Sequence, residues 1–158
     1  YFPEYGKFFV YPSADLGGKS IINLINNYVK NNKYSYKFKS LDQKEYFSFV
    51  KNCNVAIGNS SSGIIEVPSL KVGVVNIGDR QRGRIKSNAV IDCKPSNIDI
   101  LKGIKKIMSN KYLQKIKNEK NPYDCKGTTQ KIVKIFEKKE KLNELVKKKF
   151  FDLDFKKI

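Results

Sequence analysis

Histidine is absent from this 158-residue chain, and cysteine, methionine and arginine are scarce. Without histidine the chain cannot form a Ser-His-Asp hydrolase triad by itself. The three cysteines, Cys53, Cys93 and Cys125, are far apart, and none has the CxxC or other spacing of a metal site. We therefore expect reduced, mostly buried thiols, no bound metal and a cytoplasmic location.

Long apolar runs are also missing. None approaches the ~20 residues that a membrane-spanning helix needs, and the N-terminus lacks the basic-then-apolar pattern of a signal peptide. The chain starts at Tyr1 rather than at a methionine, and Met108 is its single methionine. We expect a fragment of a longer protein, with no membrane partner.

Arginine occurs at three positions, and all three lie within five residues: Arg80, Arg82 and Arg84. Every other basic residue is a lysine. A guanidinium holds a phosphate or carboxylate through two parallel hydrogen bonds, which an ammonium group does not match. Surface ion pairs are the alternative, but lysine would serve those about as well. The cluster, which we call the arginine loop (residues 78–84), therefore favours a phosphate-bearing small molecule.

The formal net charge of +17 suggests a second class, a basic nucleic-acid-binding module. The lysines are spread along the chain, however, and become denser only after residue 102. The sequence also has no RNA-recognition signature, zinc-finger spacing or arginine-rich arm. We expect a solvated lysine-rich surface and no nucleic-acid partner, and we keep the nucleic-acid module as a remote alternative.

Apolar runs with strand character alternate with helical patterns through residue 108. Strands are predicted near residues 8–11, 34–38, 55–57, 72–77 and 89–92, and helices between them are predicted to begin at Ser20, Asp42 and Ser96. This alternation predicts an α/β fold, a Rossmann-like, mainly parallel sheet with helices on both faces.

The C-terminal part of the chain carries further helical patterns. A short helix is predicted over residues 112–117, and another begins at Thr128, with Ile132, Val133, Ile135 and Phe136 facing inward. We predict a nucleotide-binding domain over residues 1–140. We predict that residues 141–158 form a helical tail that docks on a missing N-terminal domain or on a partner, with a surface tail of the same domain as the alternative.

A loop of small residues, the serine loop (residues 58–63, Gly-Asn-Ser-Ser-Ser-Gly), follows the third predicted strand. Its hydroxyl groups and the free N–H groups of the helix that follows would bind anionic oxygens. Glu66 would accept hydrogen bonds from sugar hydroxyls. The alternative is that the serine loop only caps the following helix, but a single serine would be enough for a cap. Because ligands of parallel sheets bind beyond the carboxyl ends of the strands, we expect the serine and arginine loops to lie together.

The two loops also carry a family resemblance. Residues 58–66 (GNSSSGIIE) and 75–84 (VNIGDRQRGR), with residues 11–18 (YPSADLGG), closely resemble the hydrolysing UDP-N-acetylglucosamine 2-epimerases. The likeness covers nearly the whole chain. It corresponds to the C-terminal, Rossmann-like half of a two-domain fold of the GT-B type.

The resemblance implies an enzyme that converts UDP-N-acetylglucosamine and water to N-acetylmannosamine and UDP, by elimination of UDP and then hydration, in the biosynthesis of sialic acids. No cofactor or metal is implied. The acid and base residues would belong to the N-terminal domain, so no catalytic residue is expected in this chain, and the fragment alone would be inactive. The full-length enzyme would be a homo-oligomer.

The resemblance also assigns roles to individual residues. Ser60 and Ser61 would bind the diphosphate, Glu66 the ribose hydroxyls, and Arg80 the nucleotide or its phosphates. The backbone near Leu41 would face the uracil, and Ser13 would line the same pocket, although the family usually has asparagine there. Arg84 would either contact the ligand or tie its loop to neighbouring carboxylates.

Three alternative functions stay open. Members of the family act on GDP-linked or 2,4-diacetamido sugars, and the non-hydrolysing epimerases share the fold but differ around the arginine loop. A glycosyltransferase of the GT-B type is the alternative from a different class. It would place its basic phosphate residue and its ribose-binding glutamate in other surroundings.

Overall fold

A computed structural model describes residues 2–13 and 16–137. By its contacts the chain divides into two compact units, Tyr1–Asn121 and Pro122–Ile158. The domain boundary predicted at residue 140 and the predicted docking tail, residues 141–158, lie outside the described residues, so both stay predictions.

Five strands and six helices make up the described residues. The strands are β1 (Lys7–Val10), β2 (Ser35–Phe38), β3 (Val55–Gly58), β4 (Gly73–Ile77) and β5 (Val90–Cys93). The helices are α1 (Gly18–Lys30), α2 (Gln43–Lys51), α3 (Ser61–Ile65), α4 (Asn97–Ile107), α5 (Asn110–Asn118) and α6 (Thr128–Glu137), and a 3₁₀ turn spans Val67–Leu70. Every predicted strand is present within one or two residues.

All the strand pairings are parallel, which confirms the predicted α/β class. β1 pairs with β2, and β4 pairs with β3 on one side and β5 on the other. The hydrogen-bonded ladder is not continuous, however, because β1 and β2 form a sheet of their own beside the three-stranded sheet β3-β4-β5. The sequence patterns predicted the parallel strands but not this division.

The three-stranded sheet has a well-packed core on each face. Val75 of β4 packs with Ile104 and Ile107 of α4 and with Ile116 of α5. The neighbouring residue, Val74, points the other way because side chains alternate along a strand. It belongs to a second cluster whose other buried members are Val50 of α2, Val67 of the 3₁₀ turn and Val72. Helices therefore cover both faces of this sheet, as predicted.

Aromatic rings hold the two-stranded sheet to its helices. The ring of Phe9 lies 5.6 Å from that of Tyr28 in α1. On the opposite face, Phe8 and Phe38 pack against Phe49 of α2, with ring centroids 5.5 and 4.9 Å apart. Phe8 remains almost half exposed. This sheet is thus less completely covered than its neighbour.

Three expectations about local structure are wrong. Ser20 does not cap α1, because Gly17 adopts a left-handed conformation (φ 88°) and begins the helix earlier. The apolar residues of α6 do not face inward within the described residues, since Ile132, Val133, Ile135 and Phe136 are all exposed. The thiols are not mostly buried either, because Cys53 and Cys93 are half-buried and Cys125 is exposed.

Other local predictions are confirmed. Asp42 caps α2 in a capping box with Glu45, and Ser96 caps α4. Among residues 2–13 and 16–137, no helix has the length and apolar content to cross a membrane.

Candidate functional site

The serine and arginine loops meet at the carboxyl edge of the three-stranded sheet. Gly58 at the end of β3 is paired with Asn76 near the end of β4, so the loops leave the sheet side by side. A direct hydrogen bond joins them, because Nε2 of Gln81 donates to the carbonyl oxygen of Asn59 at 2.9 Å. The expectation that the two loops lie together is therefore confirmed.

Gln81 lies inside this junction. The residue is only 4% exposed, and its Oε1 atom is buried without a hydrogen-bond partner among the described residues. Sequence reasoning missed it. The available signal was a glutamine within the run from Asp79 to Arg84, where every other residue except Gly83 is charged.

The three serines of the serine loop have different surroundings. Ser60 is the N-cap of α3, and its Oγ accepts a hydrogen bond from the Ser62 N–H at 3.3 Å, so the plain cap interpretation holds for this residue. The Ser62 hydroxyl donates to the Tyr46 hydroxyl at 2.9 Å, which ties the loop to α2. The Ser61 side chain is exposed and makes no hydrogen bond within the described residues. Ser61 is therefore entirely open to a ligand, whereas Ser60, whose oxygen caps the helix, still has its O–H group to donate.

The helix that follows the serine loop is shorter than the sequence argument assumed. α3 contains five residues, and the Gly63 N–H already donates to the Ser60 carbonyl oxygen. A helix dipole grows with the number of aligned peptide units. An anion at this loop would therefore be held by the hydroxyl and N–H group of Ser61 more than by a dipole.

The arginine loop is a pair of tight turns. Gly78 and Gly83 have φ angles of 76° and 81°, which glycine adopts without strain. The Arg82 N–H donates to the Asp79 carbonyl oxygen at 2.7 Å, and the Gly78 N–H donates to the Cys93 carbonyl oxygen at 2.9 Å. These bonds fix the backbone, so the arginine side chains project from a loop of defined shape.

All three arginine side chains are exposed, and none forms an ion pair within the described part of the chain. The ion pair found there joins Lys86 and Asp92, and Asp92 also accepts a hydrogen bond from Asn76 at 2.7 Å. A lysine therefore supplies the structural pairing in this region. Arg84 does not tie the loop to a described carboxylate, and the guanidinium groups are available to an external anion.

Among the described residues, no hydrogen bond joins the remaining predicted site residues, Ser13, Leu41 and Glu66, to one another. Glu66 is half-buried at the C-terminal end of α3, and its side chain makes no hydrogen bond with the described residues. Ser13 follows β1 and Leu41 follows β2, each three residues beyond the paired residues Val10 and Phe38. Ser13 is exposed and Leu41 half-buried. The structure thus joins the two loops directly and ties the Glu66 backbone to the serine loop through the Ser62 carbonyl oxygen. Ser13 and Leu41 share with the loops only their position after the carboxyl end of a parallel strand.

Two cavities lie in the first unit, and neither is lined by both the serine loop and the arginine loop. A small one of about 50 Å³ lies under the serine loop and is lined by Tyr46, Ile57, Gly58 and Ser60 among others. A larger one of about 320 Å³ lies along the outer edge of β5, where none of the predicted site residues reaches it. Cys93 lines it, but burial, followed by the charges of Asp99 and Asp92, raises the pKa of its thiol. That thiol is therefore a poor nucleophile.

Comparison with known proteins gives a consistent result. The model of the UDP-N-acetylglucosamine 2-epimerase family matches residues 2–137. The Polysialic acid biosynthesis protein P7 of Escherichia coli is 34% identical over 92% of this chain and 37% of its own length. The GDP/UDP-N,N'-diacetylbacillosamine 2-epimerase (hydrolyzing) of Campylobacter jejuni is 38% identical over 92% of the chain and 38% of its own length.

A more distant relative shows the same coverage. The UDP-N-acetylglucosamine 2-epimerase of Neisseria meningitidis is 26% identical over 92% of this chain and 38% of its own length. The chain therefore spans less than two fifths of the length of these three relatives.

Proposed function

Because the chain belongs to the UDP-N-acetylglucosamine 2-epimerase family, we propose that it is the UDP-binding C-terminal half of a hydrolysing 2-epimerase. The complete enzyme converts UDP-N-acetylglucosamine and water to N-acetylmannosamine and UDP, and feeds the biosynthesis of sialic-acid-type sugars. It is cytoplasmic and homo-oligomeric, and its N-terminal domain is the partner of this half.

One observation carries the proposal: the hydrogen bond between Gln81 and Asn59 holds the serine and arginine loops together. It brings an exposed hydroxyl, that of Ser61, to the same edge as the guanidinium of Arg80, which forms no ion pair with any described residue. Hydroxyl and guanidinium donors are the groups that bind phosphate oxygens. A diphosphate fits this combination better than a carboxylate, because it offers oxygens to both loops at once.

The chain's own residues act on the leaving group. In the elimination step the bond between the sugar and the diphosphate breaks, and its electron pair leaves with UDP. Ser60, Ser61 and Arg80 bind the diphosphate and stabilise the charge that develops on it. Glu66 binds the ribose hydroxyls, while Ser13 and the backbone near Leu41 line the uracil side of the pocket. The residues that move protons on the sugar ring belong to the N-terminal domain.

A second candidate concerns the sugar rather than the nucleotide. Two relatives, 38% and 37% identical, are named as hydrolysing epimerases of N,N'-diacetylbacillosamine nucleotides. This favours a 2,4-diacetamido sugar as the alternative substrate. Assaying the complete enzyme with both UDP-linked sugars separates the two, since the preferred sugar gives the higher kcat/KM.

Titration calorimetry with UDP tests the nucleotide site. We expect the 158-residue chain to bind UDP weakly and to turn over no sugar nucleotide. Arg80→Ala should weaken binding by about tenfold or more, since a hydrogen bond to a charged group contributes ~1.5–3 kcal/mol. Ser61→Ala should weaken it by several-fold. Lys105→Ala, which removes an exposed charge from α4, is the matched control and should bind normally.

Two results would count against the site. One is the absence of any heat when UDP is added to the folded wild-type chain. The other is unchanged UDP affinity in the double variant Ser61→Ala with Arg80→Ala.

A further inference from the structure

The arginine loop is held differently at its two ends. At its start, Gly78 donates its N–H to the end of β5, and Gln81 holds the first half against the serine loop. The return segment, residues 84–86, leads from the loop back towards β5. Among the described residues, the backbone groups of Ile85 and Lys86 make no hydrogen bond, and the Ile85 side chain is 70% exposed. Neither backbone pairing nor apolar packing therefore holds this segment.

The side chain of Lys86 supplies the missing attachment. Its Nζ atom lies 2.9 Å and 2.7 Å from the two carboxylate oxygens of Asp92 on β5. Asn76 of β4 lies opposite Asp92 in the sheet, and its Nδ2 donates to the same carboxylate at 2.7 Å. One carboxylate thus joins the return segment to the strand from which the arginine loop departs.

This pair differs from an ordinary surface ion pair. An isolated exposed pair contributes little, because ordering two mobile side chains offsets the attraction between them. Here the Lys86 side chain is only 22% exposed. The carboxylate of Asp92 is already oriented by Asn76, which is 2% exposed and fixed within the sheet. Less conformational entropy is therefore lost when the lysine binds.

The same pair leaves the arginines free. Asp92 is occupied by Lys86, and no described carboxylate forms an ion pair with Arg80, Arg82 or Arg84. A lysine thus carries the structural contact, while the groups suited to bidentate binding of a phosphate remain available.

We propose that Asp92 and Lys86 are positioning residues for the arginine loop, and that their pair fixes the return segment so that the guanidinium groups are presented to an anion in one arrangement. Neither residue contacts the ligand. When a loop spends only part of its time in the shape that binds, the apparent affinity falls by that fraction. The effect on UDP rests on the proposed function, whereas the effect on loop mobility does not.

Backbone order parameters from NMR relaxation test the positioning role without any ligand. In the wild-type chain we expect values near about 0.8 for the N–H groups of Arg82 and Arg84. Lys86→Met, which keeps the length of the side chain but removes its donors, should lower them towards about 0.6 or below. Asp92→Ala should do the same, and it leaves no unpaired carboxylate that could attract an arginine. The amides of β4 should keep their values in both variants, which separates a local loosening from a loss of stability.

Titration calorimetry with UDP measures the consequence for binding. Lys86→Met and Asp92→Ala should each weaken UDP binding by several-fold. Lys86→Arg keeps a cation that reaches Asp92 and should restore both the order parameters and the affinity. Lys105→Met, which removes an exposed lysine from α4, is the matched control and should alter neither.

Two results would overturn the proposal. One is an arginine loop with unchanged order parameters in both Lys86→Met and Asp92→Ala. The other is a loop that becomes mobile in these variants while UDP affinity stays at the wild-type value. Failure of the wild-type chain to bind UDP would count against the nucleotide site instead, and the order parameters alone would then decide whether Asp92 and Lys86 hold the loop.

Discussion

The three-stranded and two-stranded sheets differ in how they are stabilised. The first is packed on both faces by aliphatic side chains, among which Ile64, Val75, Ile107 and Ile116 are almost completely buried. The second relies on aromatic rings that remain half exposed, such as Phe8 and Tyr36. Stability in this chain is therefore concentrated in the three-stranded half.

The candidate site shows the same contrast. Its serine and arginine loops grow from the three-stranded sheet and are linked by a buried glutamine. Ser13 and Leu41 follow the strands of the other sheet, and the described part of the chain shows no hydrogen bond between them and the two loops. The proposed phosphate side of the site is thus held by the better packed sheet, whereas the proposed uracil side depends on the less covered sheet.

The largest expected effect is a core truncation in the three-stranded half. Ile107→Ala removes a fully buried side chain between α4 and β4, and it should lower the free energy of unfolding by ~2–5 kcal/mol. Leu24→Ala, at an exposed position of α1, should cost less than about 1 kcal/mol. Urea denaturation measures both. Similar losses in the two variants would show that the two halves do not differ as described.

Two glycine substitutions also compare how tightly the two sheets are packed, because each adds a methyl group beside one of them. A Cβ atom at Gly73 would lie 2.8 Å from Cγ1 of Ile107 and 3.0 Å from Cδ1 of Ile116. Gly73→Ala should therefore cost ~1–3 kcal/mol. At Gly6, beside the two-stranded sheet, the nearest atom would be 3.7 Å away, so Gly6→Ala should fit. Thermal melting that ranks the two variants in the opposite order would contradict the assignment of the tight core.

The link between the loops can be tested at Gln81. Gln81→Ala removes the hydrogen bond to Asn59, which contributes about 1 kcal/mol, and should weaken UDP binding by several-fold. The effect on stability should be small, because the variant also removes the buried, unpartnered Oε1. Ser13→Ala, on the other side of the site, should change UDP affinity less. Unchanged UDP affinity in Gln81→Ala would show that the loops keep their spacing without this bond.

The smallest expected effect is electrostatic. Glu119 accepts hydrogen bonds from the backbone and side-chain N–H groups of Asn88, and these lower the pKa of its carboxyl group. A lowered pKa in the folded state stabilises the fold at neutral pH, and this contribution disappears as the pH falls through that pKa. Because the carboxylate is largely solvated, the contribution should stay below about 1 kcal/mol.

Glu119→Gln is the variant for this test. It should be slightly less stable than the wild type at pH 7, and the difference should vanish in acid. A difference in the free energy of unfolding that is independent of pH would exclude the electrostatic explanation.

Local features of the fold could be predicted from the sequence. The caps at Asp42 and Ser96 depend on side chains within three residues of the helix start, and both are found. The serine and arginine loops follow predicted strands, so their common edge also followed from the strand pattern. Ser20 was predicted wrongly because the left-handed turn at Gly17 was not considered as a helix start.

Features that depend on distant contacts could not be predicted. The bond from Gln81 crosses 22 residues, and the Ser62–Tyr46 bond crosses 16. No periodicity in the sequence specifies either partner. The division into two sheets is of the same kind, because the apolar pattern of a strand does not specify which strand lies beside it.

The arginine loop also offers a chemical label. Its three guanidinium groups are all exposed, and they are the only ones in the chain. Dicarbonyl reagents such as phenylglyoxal condense preferentially with guanidinium groups, so modification will be confined to one turn of the molecule. The mass added to that peptide then reports directly how far a bound nucleotide shields it.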